Sequence, residues 1–149
     1  MRMNFSSLVN APCSQVFEAF SDFKNAADRV EGIEKIELID GDSIGVGTRF
    51  RETRIMFGRP STEEMEVTEF IPGQRYTVEA NTCGSHFQTI FNFKPDGDAT
   101  VVDVALNTRA LTLFAKIMTP IGFLMAGPMK KMFASDIEQL KKYCESDLS

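Results

Sequence analysis

QRYTVEANTCGSHFQTIFNFKPDGDATVVDVALNT, residues 74–108, alternates apolar and polar side chains through three runs broken by turn residues. In an extended strand, residues i and i+2 share a face. Tyr76, Val78, Ala80 and Thr82 therefore oppose Arg75, Thr77, Glu79 and Asn81. In the next run Phe87, Thr89, Phe91 and Phe93 oppose His86, Gln88, Ile90 and Asn92. In the last, Val102, Val104, Leu106 and Thr108 oppose Val101, Asp103, Ala105 and Asn107. Cys83-Gly84 and Pro95-Asp96-Gly97-Asp98 are short turn signals, so the runs are antiparallel neighbours in a meander. One face of this sheet is apolar and needs a cover.

The same texture extends upstream. Strands are predicted over Ile33–Ile39, Val46–Phe57 and Thr62–Phe70, separated by Asp40-Gly41-Asp42, Gly58-Arg59-Pro60 and Pro72-Gly73. Residues 2–9 alternate well enough for a first strand. Pro12 then stands where a helix tolerates a missing N–H, and Val16, Phe17 and Phe20 follow at helical spacing. Residues 22–30 read as a second short helix capped by Ser21 or Asp22. The cover comes last: Met129, Met132, Phe133, Ile137, Leu140 and Cys144 recur every three or four residues, with lysines and glutamates opposite. Pro120, Gly122, Gly127 and Pro128 predict a break or kink near 119–128. The expected fold is α+β, a helix-grip of about seven antiparallel strands in the order β-α-α-β6-α. Its curved sheet wraps a long C-terminal helix, as a single domain over 1–149.

Composition narrows the partners. The 149 residues are 43% hydrophobic and 25% charged, which is globular and not disordered. Thirteen Phe and eight Met beside no Trp and two Tyr suit a large interior of flat or pliable groups. A net charge of −5 opposes nucleic acid and anionic membrane surfaces, which attract clustered Lys and Arg. Residues 110–127 are apolar, but Lys116, Pro120 and two glycines make them a buried helix and not a membrane span. The N-terminus has no signal-peptide pattern, and Cys13, Cys83 and Cys144 show no CxxC spacing. Reduced thiols in a cytoplasmic protein fit that pattern.

Local wording adds a family. The segments APCSQVFEAFSD at 11–22, VGTRFRE at 46–52, EVTEFIPGQRY at 66–76, FNFKPDGDAT at 91–100 and LKKYCE at 140–145 resemble the SRPBCC (START-like, Bet v 1-like) superfamily. Within it the chain is similar to the polyketide cyclase/dehydratase branch, over nearly its whole length. It departs in one place: similar proteins commonly carry a Trp at the end of the second short helix, where this chain reads NAADRVEGI with Arg29. The resemblance implies a cavity between sheet and helix for a small hydrophobic, lipid- or polyketide-like molecule.

The residues expected to line that cavity are Phe50, Glu52, Arg54, Met65, Val67, Tyr76, Val78, Phe87, Thr89, Phe91, Val104, Leu106, Met118, Met125 and Met129. Glu52 and Arg54 stand out, because alternation with Phe50 puts two charges on an apolar face. Either they sit at the rim, satisfied by water or Glu63, or they orient the polar end of a ligand. Other chemistry is scarce. His86 falls on the convex face, Cys13 is read as packed, and no metal-ligand or phosphate-loop pattern exists. No cofactor is expected. Binding of a small hydrophobic molecule is the first reading. An enzyme of cyclase, aromatase or dehydratase type, with Glu52, Arg54, Glu69 or Tyr76 as its polar groups, is the second. A groove that docks a partner protein's segment is the third, and the chain is expected as monomer or dimer.

Overall fold

The computed structural model describes residues 2–39, 43–56, 58–82, 84–117 and 119–147. The elements are β1 (Arg2–Val9), α1 (Cys13–Ser21), a 3-10 turn (Phe23–Asn25), α2 (Ala26–Arg29), β2 (Ile33–Leu38), β3 (Arg49–Met56) and β4 (Arg59–Ile71). They continue with β5 (Arg75–Thr82), β6 (Ser85–Asp96), β7 (Ala99–Ala110), α3 (Leu113–Ile117) and α4 (Thr119–Asp147). The strands form one antiparallel sheet in the order β1-β7-β6-β5-β4-β3-β2. This is the helix-grip architecture expected, with α3 added before the long helix.

The meander runs further into its turns than sequence suggests. β4 already pairs at Arg59 and Pro60, and β6 continues through Pro95 and Asp96. The last hairpin is therefore a two-residue turn, with Gly97 at φ +62°, a conformation that side-chain-bearing residues rarely adopt. The segment expected as one second helix is a 3-10 turn followed by a single helical turn. Of the expected caps, Ser21 ends α1 and its hydroxyl donates to the Glu18 carbonyl, while the Asp22 carboxylate is taken by Asn25 and Arg29. The turn expected at Asp40–Asp42, and Cys83, lie outside the described residues.

The helical segment from about 111, in which a break or kink was expected near 119–128, is divided into α3, ending at Ile117, and α4, which starts at Thr119 and is helical to Asp147 with Pro128 inside it. Pro120 is its second residue, where no intrahelical N–H bond is due. Pro128 alone costs the helix a bond.

Two bulges set which side chains face the helix. Val67 pairs with Val78 and Glu69 with Thr77, so β4 spends an extra residue at Thr68. The phase flips there. Phe70, opposite Tyr76, faces inward, and Glu69 faces outward with Thr77 and Arg75. A second bulge lies in β2, where Ile33 opposes Arg54 and Lys35 opposes Thr53.

The core fills the space beneath α1. Phe17 meets Phe70, Tyr76 and Phe93 edge-on at 5.1–5.9 Å, and Tyr76 stacks on Phe91 at 4.6 Å. Such pairs contribute about 0.5–1.5 kcal/mol each beyond the area they bury. The aromatic residues thus close one end of the sheet, and the other end stays open beneath α4.

Candidate functional site

The open end is a cavity of ≈ 340 Å³ between the concave sheet and α4. That is within the range of small-molecule sites, about 300–1,000 Å³. β2–β7 supply its floor, and Met129, Met132, Phe133, Asp136, Ile137 and Leu140 of α4 its roof. These roof residues recur at three and four because a helix shows one stripe to its neighbour.

Of the residues expected from sequence, Phe50, Glu52, Arg54, Met65, Tyr76, Val78, Phe87, Thr89, Phe91, Val104, Leu106 and Met129 line the cavity. Val67 does not. It faces inward but is wholly buried in the core with Phe17, Phe20 and Phe23, where α1 and the turn after it fill the space. Met118 and the Met125 side chain lie outside the described residues.

The floor's polar corner is built across three strands. Directly opposed residues of an antiparallel pair share a face. Ile36, Glu52 and Glu63 form one such row, and Ile33, Arg54 and Ser61 the next. Glu52 and Arg54 therefore do face the cavity. Their partner comes from the roof: Arg54 donates from Nη1 to Asp136 Oδ1 at 3.1 Å and from Nη2 to Asp136 Oδ2 at 2.7 Å. Nη2 also donates to Glu52 Oε1 at 3.1 Å. The Arg54 and Glu52 side chains are only 11% and 13% exposed, so water does not satisfy them as it would at a rim. The guanidinium lies against the backbone of Gly32, where a Cβ would stand 3.0 Å from Nη1.

Burial raises the Glu52 carboxyl above the ordinary range; Arg54 opposes the shift, and the negative charges of Asp136 and Glu63 add to it. Burial likewise raises Asp136 against the pull of Arg54. For Arg54 burial disfavours the charge, but the bonds it donates to Asp136 and the charge of Glu52 outweigh it and hold the group above its usual value. The corner can thus hold a proton on a carboxyl next to a fixed cation.

Sequence reasoning missed Asp136. It falls four residues after Met132 and four before Leu140, so a carboxylate on the apolar stripe was its signal. The remaining polar candidates are placed elsewhere. Glu69 lies on the convex face with Arg75 and Thr77. Tyr76 is buried, and its hydroxyl donates to the Phe20 carbonyl at 3.1 Å; burial pushes the phenol far up, so only its ring serves the cavity. His86 is bound on the convex face between Asn81 Oδ1 and Glu79 Oε1. The Cys13 Sγ donates to the Gly73 carbonyl, and burial raises its pKa, which disfavours the thiolate. No group of residues that could hold a metal ion occurs among the described residues.

Residues 2–145 match a single protein family, described as polyketide cyclase / dehydrase and lipid transport. The chain belongs to that family. Solved structures place this member of the family in the START-like, Bet v 1-like fold. The protein TTHA0849 from Thermus thermophilus superposes with a TM-score of 0.80 at 17% identity, covering 100% of both chains. The Zhui aromatase/cyclase from a Streptomyces species gives 0.79 at 14%, covering 100% of this chain and 96% of its own. A START superfamily protein from Mycobacterium smegmatis gives 0.76 at 16%, with 97% of each chain covered. At these identities the likeness is one of fold. No curated protein sequence matches the chain. Among the described residues of this cyclase-family member, no helix is long and apolar enough to cross a membrane.

Proposed function

We propose that residues 1–149 act as one domain that binds a small hydrophobic or amphipathic molecule, lipid- or polyketide-like, in the cavity between sheet and α4. The observation that carries this reading is the cavity itself. It is lined by Phe50, Met65, Phe87, Phe91 and Met129, with one localised polar corner. An apolar body with a few convergent polar groups is the usual construction of a small-molecule site. Apolar burial supplies the affinity, about 25 cal/mol per Å² removed from water, and the corner orients the molecule. The family's description, which includes lipid transport, supports the same reading.

A second reading has an observation of its own. The Glu52 carboxyl is buried and raised beside the oriented cation Arg54, the arrangement that suits a general acid or base. An enzyme of cyclase, aromatase or dehydratase type would use Glu52 for proton transfer and Arg54 with Asp136 to hold it. Native mass spectrometry of freshly purified protein tests the binding reading. A co-purifying small molecule, released on denaturation, is expected. A chain that emerges instead in complex with a second protein contradicts it. Turnover that Glu52→Gln abolishes without weakening ligand binding would move the assignment to the enzyme.

A further inference from the structure

The charges on the cavity wall do not balance. Among the described residues, the carboxylates of Glu52, Glu63 and Asp136 face it against a single cation, Arg54. Glu79 is engaged by His86 on the convex side. Arg54 is committed as well: both terminal nitrogens donate to Asp136, and Nη2 also to Glu52. Its face against Gly32 is closed by the backbone. An anionic or acceptor head would therefore find a guanidinium already shared between two carboxylates, with one Nη1 N–H and the Nε N–H as the donors left, and it would meet Glu52 and Glu63 at close range. These two are directly opposed across β3 and β4. Glu63 has no ion pair among the described residues, and Glu52 uses only Oε1 on Arg54. Like charges in that position destabilise a sheet unless a proton or a cation lies between them.

We infer that the cavity takes an amphiphile whose polar end is a cation, an ammonium-type hydrogen-bond donor seated between Glu52 and Glu63, with its hydrocarbon body among the phenylalanines and methionines. This rests on the binding reading above and specifies the polar end of the ligand. Burial raises the Glu52 carboxyl against the pull of Arg54, and the charges of Asp136 and Glu63 add to the shift, a repulsion that a cationic head would relieve.

n-Octylamine, 1-octanol and octanoate share one hydrocarbon tail and differ at the head. Isothermal titration of the full chain with each, at neutral pH and low salt, separates the possibilities. The amine is expected to bind at least about tenfold tighter than octanoate, the scale of one charge-assisted hydrogen bond. Glu52→Gln and Glu63→Gln should each weaken the amine and leave the alcohol within about twofold. Octanoate binding as tightly as the amine, with or without the substitutions, overturns the cationic head and leaves the binding reading standing. Binding of none of the three overturns both.

Discussion

Arg54 joins floor to roof, since its guanidinium clamps Asp136 of α4 to β3 while holding Glu52 beside it. Alternation with Phe50 placed Glu52 and Arg54 inward, and they are inward. The choice between rim and interior depended on Asp136, distant in sequence and visible only once the helix is laid over the sheet. The raised Glu52 carboxyl has a consequence for stability. A carboxyl whose folded pKa lies above its unfolded value contributes stability below the unfolded pKa. That contribution is lost as pH rises through the folded pKa. Glu52→Gln does not titrate, so its melting temperature relative to wild type should become more favourable as pH rises from the ordinary carboxyl range through the raised folded pKa. Thermal melts across that range check this. A relative stability that falls with pH would mean that attraction to Arg54 outweighs burial.

At the scale of elements, strand period and turn residues were legible, because each strand has one buried face and each hairpin a glycine or proline. The bulges were not. Thr68 carries no signature that distinguishes it from an ordinary strand residue, yet it reverses the phase beyond it. For that reason Glu69, a candidate polar group for the cavity by plain alternation, lies outward, and Phe70, which packs edge-on against Phe17, takes the inward place. Val67 was read correctly as inward but missed as core, because alternation gives a face and not what covers it. In the helical segment, Pro and Gly residues signal an interruption near 119–128; the chain divides into α3 and α4 between Ile117 and Thr119, the first turn of α4 absorbs Pro120, and exposed Pro128 lies inside the helix. Pro128→Ala restores an N–H donor without altering a buried contact. It should stabilise the chain by about 1 kcal/mol in urea unfolding, part of the full cost of an interior proline. A loss of stability would show that the helix depends on the proline's geometry.

For the whole molecule, the aromatic cluster under α1 closes one end of the sheet and leaves the other as a chamber under α4. Family wording and strand order made this architecture legible, but the volume of the chamber follows from side chains meeting across the sheet, which residue types do not specify. The central claim is that this chamber receives an apolar molecule. N-phenyl-1-naphthylamine, an uncharged probe that fluoresces on leaving water, tests it when titrated into wild type and into Thr89→Phe. Thr89 lies on the chamber floor between Val78 and Leu106, so a phenyl group there occupies the space. Saturable one-to-one binding by wild type, lost in Thr89→Phe with circular dichroism unchanged, is the predicted result. No saturable binding by wild type, or equal binding by a folded Thr89→Phe, would contradict it.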